Sequence, residues 1–144
     1  MALKVLFVCN QNSIRSPMAE ILLRDLAARR GAEAVSRSAG VYEGALDPFL
    51  PTILGEIGAP APHDPPRDLT DVDVTEFDAL VALTLEAEAA LKERGGGDRV
   101  EYWATDNPSL TGGSRDQILE GYRRVREQLA SRIAARFGKA LTET

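Results

Sequence analysis

The sequence is sparing with the residues that staple or metallate small proteins. Its 144 residues hold one cysteine, one histidine and one tryptophan. A single cysteine excludes an internal disulfide and fits a reducing compartment. With one histidine and no clustered donors, no metal-ligand set stands out. No apolar run approaches the length of a membrane span, and Met1-Ala2-Leu3-Lys4 leads straight into the first strand without a signal peptide. A cytoplasmic protein with no membrane partner is expected. Positive charge is also in deficit: 17 lysines and arginines against 22 aspartates and glutamates give a net charge of −5. That balance disfavours nucleic acid as a partner and repels anions at long range. Any affinity for phosphate must therefore be local. Internal repeats are absent as well. What remains is ordinary globular composition, 44% hydrophobic and 27% charged, in one domain spanning 1–144.

The stretch Val5–Glu20, VLFVCNQNSIRSPMAE, concentrates the chemistry. Val5-Leu6-Phe7-Val8 reads as a buried parallel strand. Cys9 follows, then a polar loop, Arg15 and Ser16-Pro17. Ser16 is a favoured N-cap and Pro17 suits the first helical position, so a helix is expected from about Pro17 to Arg30. Such a strand–loop–helix turn gathers unpaired N–H groups and the positive end of the helix dipole at one spot. A thiol at the floor of that spot is a strong nucleophile once ionised. A guanidinium at its rim grips two oxygens of a tetrahedral anion. Cys9 and Arg15 are thus placed to attack a bound oxyanion and to hold its developing charge. Loops of this kind need a left-handed residue. No glycine lies between Cys9 and Arg15, so Asn10 or Asn12 is expected to adopt positive φ.

Cys9-(x5)-Arg15-Ser16-Pro17, with Asn12 three places after Cys9 and Ala19-Glu20 following, resembles the phosphate-binding loop of the low-molecular-weight protein tyrosine phosphatases. The arsenate reductases of the same fold share that loop. The resemblance implies a phosphate site made of Asn10, Gln11, Asn12, Ser13, Ile14, Arg15 and Ser16, working without a metal or cofactor. It implies that Ser16 stabilises the Cys9 thiolate as it leaves. It also implies that Ser38, in Ser38-Ala39-Gly40, hydrogen-bonds Asn12 and Ser16 from behind the loop.

The rest of the chain alternates strands and helices. Ala34–Ser38 reads as the second strand. Asp47-Pro48 starts a helix that buries Phe49, Leu50, Ile53, Leu54 and Ile57 and stops at Gly58. Residues 59–76 form a long proline- and aspartate-rich connection, a length that usually marks a functional or mobile loop. The family has a histidine and a basic residue there. His63 and Arg67 do not match that spacing, and His63 is left out of the catalytic set. Ala79–Leu83 is the third strand, Thr84 caps a helix to about Arg94, and Arg99–Trp103 is the fourth strand. Ser114 and Gln117 fit a capping box, and Ile118, Tyr122, Val125, Leu129 and Ile133 make the stripe of the last helix. This alternation predicts a single α/β domain with a four-stranded parallel sheet and helices on both faces. The resemblance adds the strand order 2-1-3-4, a phosphotyrosine protein phosphatase I-like fold.

Ala104-Thr105-Asp106-Asn107-Pro108 lies at the carboxyl end of a strand, where open α/β sheets place their sites. By the resemblance, this loop carries a general-acid aspartate directly before the proline. Here Asn107 holds that place and the aspartate is Asp106. Either Asp106 works from a shifted position, or leaving-group protonation is impaired, a difference of roughly 10²–10⁴ in rate. The expected activity is hydrolysis of a phosphate ester through a cysteinyl-phosphate, with Cys9, Arg15 and Asp106 catalytic. The alternative is arsenate reduction. Further cysteines are lacking, and Ile14 stands where many tyrosine phosphatases carry a second loop cysteine. A reductase would therefore need an external thiol or thiol-redox protein. A third possibility is an oxyanion-binding module with little turnover.

Overall fold

The computed structural model describes residues 2–62 and 64–142; His63 lies outside them. Four strands, β1 (Leu3–Cys9), β2 (Ala34–Gly40), β3 (Ala79–Ala82) and β4 (Val100–Tyr102), form one parallel sheet in the order β2-β1-β3-β4. That is the expected order 2-1-3-4. The helices are α1 (Arg15–Arg29), α2 (Leu50–Gly55), α3 (Leu85–Glu93) and α4 (Arg115–Phe137).

The layering explains why β1 is apolar from Val5 to Cys9. Val5, Phe7 and Cys9 point into a core shared with α1, α2 and α4, among them Met18, Ile53 and Leu129. Leu6 and Val8 point the other way, into a smaller core with Leu69, Phe77, Leu80 and Leu91. A strand covered on both faces has no solvated side to keep polar. Trp103 closes the first core beyond β4, with its ring 6.1 Å from Phe7 and 6.0 Å from Phe137.

Several boundaries differ from expectation. Helix α1 begins at Arg15, and no side chain caps it; Ser16 is used elsewhere. Helix α2 begins only at Leu50 because Asp47 first closes a turn, its Oδ1 accepting from the Phe49 N–H at 2.8 Å. Ile57 falls past the end of α2 and is 40% exposed rather than buried. The connection 59–76 is not structureless. It contains two 3₁₀ turns, Leu69–Asp71 and Val74–Glu76, each opened by an aspartate that accepts from a threonine N–H. Hydrogen bonds from Thr70 and Thr75 hold Asp68 and Asp73 below the usual carboxylate range. The same segment is tied to the sheet edge: the Gly40 N–H donates to the Arg67 carbonyl at 2.8 Å. Helices α3 and α4 start as expected, with Thr84 accepting from the Ala87 N–H and a full Ser114–Gln117 capping box. Among the described residues, no helix is long and apolar enough to cross a membrane.

Candidate active site

Cys9 ends β1 and is 2% exposed, at the floor of a cavity of about 350 Å³ lined also by Asn10, Gln11, Ser13, Ile14 and Arg15. The loop turns there because Asn12 takes φ 52°, the one positive-φ residue besides glycines among those described; Asn10 does not share the role. The carbonyls of Cys9, Asn10 and Ser13 accept from the N–H groups of Val41, Tyr42 and Asp47 at 3.1, 2.6 and 3.3 Å. A trans peptide aims its N–H opposite its C=O. The N–H groups of Asn10, Gln11 and Ile14 therefore aim away from that seam, toward the cavity. Since no side chain caps α1, its first-turn donors and positive dipole end also remain for an anion.

Asn12 and Ser16 lie beneath the loop, buried, rather than in the cavity wall. Ser16 Oγ is 2.9 Å from Cys9 Sγ. Asn12 Nδ2 donates to that same oxygen at 2.9 Å. The hydroxyl proton of Ser16 is thus left for Cys9 Sγ or for the more distant Ala39 carbonyl at 3.4 Å. An ionised sulfur takes it, because charge-assisted hydrogen bonds are the stronger ones. At its other end, Asn12 Oδ1 accepts from the Arg67 N–H at 2.7 Å. Both ends of the amide are held, which is what keeps a left-handed residue in place.

Ser38 is not where the resemblance put it. Its hydroxyl donates to Glu20 Oε1 at 2.6 Å, and its carbonyl accepts from Arg67 Nη1 at 3.1 Å. Glu20 in turn accepts from Arg24 at 2.7 Å. The reason is register: Cys9 pairs with Gly40, so Ser38 pairs with Phe7, two places back from the loop. The close neighbour of the loop is Gly40 itself. A Cβ there would sit 2.7 Å from the Asn12 nitrogen and from the Gln11 carbonyl carbon, so only glycine allows the approach.

Arg15 Nη1 donates to the Thr105 carbonyl at 2.9 Å, tying the guanidinium to the loop after β4. The next two side chains part company. Asn107 and Ser109 line the Cys9 cavity. Asp106 is exposed and lines a separate cavity of about 780 Å³ with Glu120, Arg123 and Arg132. Backbone at Asn107 is extended, φ −85° and ψ 108°. Extended chain sends neighbouring side chains to opposite sides, in keeping with Asn107 lining the Cys9 cavity and Asp106 the other one. The acid expected from the sequence is not brought to the nucleophile.

The facing wall holds two residues that sequence reading did not place in the site, Tyr42 and Asp47. Tyr42 is 55% exposed and is, among the described residues, the one aromatic lining the cavity. Asp47 Oδ2 accepts from the Tyr122 hydroxyl at 2.8 Å. Burial, and then that bond to Asp47, push the Tyr122 hydroxyl well above the ordinary tyrosine range, so it stays a donor. The signal for both wall residues was register again. Once Gly40 lies beside Cys9, the chain after it must leave the sheet along the loop. Among the described residues, no group of three or more His, Cys, Asp or Glu side chains is gathered to hold a metal.

Several known proteins are similar to this chain. The low molecular weight protein-tyrosine-phosphatase YfkJ of Bacillus subtilis (strain 168) is 33% identical over 105 residues, which cover 65% of this chain and 64% of that protein. That match thus spans just under two thirds of the relative's length. An arsenate reductase of the same organism is 29% identical over 131 residues, covering 90% of this chain and 91% of the relative. Among solved structures, a YwlE arginine phosphatase whose active-site cysteine was changed to a serine, itself phosphorylated, superposes with a TM-score of 0.79. It is 25% identical and covers 98% of this chain and 97% of that one. The family model described as low molecular weight phosphotyrosine protein phosphatase matches residues 4–143. On that near-complete match, the chain belongs to the low molecular weight phosphotyrosine protein phosphatase family.

Proposed function

We propose that the protein hydrolyses phosphomonoesters through a cysteinyl-phosphate at Cys9. The observation that carries this is the pairing of Cys9 Sγ with Ser16 Oγ at 2.9 Å, under a cavity rimmed by Arg15. Cys9 attacks phosphorus in line. Arg15 and the loop N–H groups of Asn10, Gln11 and Ile14 hold the equatorial oxygens, where charge grows. Asn12 keeps the loop in shape, and Ser16 stabilises the thiolate when water releases phosphate. The phosphorylated serine in the YwlE structure supports a covalent intermediate at this position. The free Cys9 suits a reducing cytoplasm.

Arsenate reduction is the second reading, favoured by the arsenate reductase relative and by a cavity that takes tetrahedral oxyanions. With one cysteine in the chain, the reductant is an external thiol or a thiol-redox protein. The two readings separate in one assay series. Hydrolysis of an activated aryl phosphate is followed for wild type and Cys9→Ser, with arsenate as competitor. Turnover that needs Cys9 and is blocked by arsenate supports the phosphatase. Absence of turnover, with arsenite formed once glutathione or glutaredoxin is added, overturns it in favour of the reductase.

A further inference from the structure

We infer that Asp47 is the acid and base of the Cys9 cavity, in the place that sequence reading gave to Asp106. The inference rests on the phosphatase reading above. Among the described residues lining the cavity, Asp47 is the one carboxyl group. The other titratable or charged groups that face it are Cys9 on the floor, Arg15 at the rim, Tyr42 on its own wall, and Tyr122 from α4. Asn107 and Ser109, on the opposite wall, cannot serve as acids. Asp106 opens onto the other cavity.

Asp47 is also held the way a proton-transfer group must be. Its N–H donates to the Ser13 carbonyl at 3.3 Å, which ties it to the phosphate loop itself. Phe49 N–H and Tyr122 O–H each donate to one of its oxygens at 2.8 Å. Tyr122 is 1% exposed and packs edge-on against Phe49 with centroids 5.5 Å apart, so the hydroxyl is fixed. Each carboxyl oxygen retains a lone pair beyond these bonds, enough to carry a proton or to take one from water. A phosphate dianion held by Arg15 puts a like charge in the same cavity, and like charges favour proton uptake by a carboxylate.

The steps balance. In the first, the Cys9 thiolate forms the S–P bond, the ester P–O bond breaks, and the leaving oxygen takes the Asp47 proton. In the second, water attacks phosphorus and gives a proton to the Asp47 carboxylate. The new P–O bond forms, the S–P bond breaks, and the thiolate returns to the Ser16 hydroxyl as phosphate departs.

The test uses Asp47→Asn, which is nearly isosteric and still caps the turn at Phe49. It should slow hydrolysis of phenyl phosphate by about 10²–10⁴ and that of 2,4-dinitrophenyl phosphate far less, since only the poor leaving group needs a proton. Equal losses on both esters, or none, overturn the assignment while leaving Cys9-dependent turnover, and so the phosphatase reading, intact. A second readout needs no turnover. Calorimetry of inorganic phosphate binding in two buffers of different ionisation enthalpy should show proton uptake in wild type that shrinks in Asp47→Asn. Uptake that is equal in the two proteins overturns the assignment even if no ester is hydrolysed.

Discussion

The phosphate loop and the wall that faces it border one cavity but are built in opposite ways. Residues 9–16 are a single short segment whose shape follows from local rules: a strand end, one left-handed asparagine and a helix start. Each turn of it is then held from behind, by Arg67 on Asn12, Thr84 on Asn10 and the 41–47 backbone on three carbonyls. The walls come from two segments some sixty residues apart, Tyr42 and Asp47 on one side and Asn107 and Ser109 on the other, each fixed by a few bonds. The lesson is that binding and attack sit on the over-determined part. Leaving-group chemistry sits on the part free to vary.

Substitutions sharpen that contrast. Cys9→Ser should take aryl phosphate hydrolysis down by roughly 10⁶, as loss of a nucleophile does, while inorganic phosphate still binds in a calorimeter. Asn12→Ala should rank next. It removes two hydrogen bonds and forces alanine to positive φ, together about 2–4 kcal/mol by denaturant unfolding. Asn12→Gly should recover the strain share, about 1 kcal/mol, and equal losses in the two variants would remove strain from the account. Gly40→Ala should cost about 1–3 kcal/mol, because its methyl collides with Asn12 and Gln11 backbone. On the wall, changes should move rates and spare the fold. Asn107→Asp placed in Asp47→Asn should speed phenyl phosphate hydrolysis about tenfold or more, with an unchanged melting curve. No gain there would show that facing the cavity does not by itself make an acid.

The smallest effect lies away from both regions. Glu56 of the α2 C-terminus pairs with Arg123 at 2.8 Å and Arg126 at 2.7 Å, joining that end to α4. Hydrogen bonds from those arginines lower its carboxyl from 4.5 to about 2. A depressed carboxyl stabilises the fold above its unfolded value, and that stabilisation is lost as pH falls through the folded one. The stability gap between wild type and Glu56→Gln should therefore be present at pH 7 and close between about 4.5 and 2. A gap that stays constant across that interval would contradict the pairing.

Legibility in the sequence tracked the same division. The left-handed asparagine and the roles open to Cys9 and Arg15 could be read because their signals lie within a few residues, whereas the strand order came from the family resemblance along the chain. The second layer could not. Ser38 was expected beside Asn12, but its pairing with Phe7 sends it to Glu20 instead. Ser16 read locally as a cap because serine before proline usually is one, a role it does not take; its place beside the sulfur agrees with what the resemblance implied. Asp106 failed for a geometric reason that composition does not encode. One residue of extended chain turns a side chain to the other side, and an aspartate one place too early looks into the wrong cavity. Asp47 was legible only as a helix start, since Tyr122, which orients it, lies 75 positions away.

The most direct measurement is a rapid acid quench of wild-type protein mixed with 2,4-dinitrophenyl phosphate, followed by mass spectrometry of the Cys9 peptide. A phosphoryl group on Cys9 within the first turnover, absent from Cys9→Ser, is the predicted result. Steady release of dinitrophenol with no phosphoryl group on Cys9, or with the group on another residue, would contradict nucleophilic catalysis at this loop.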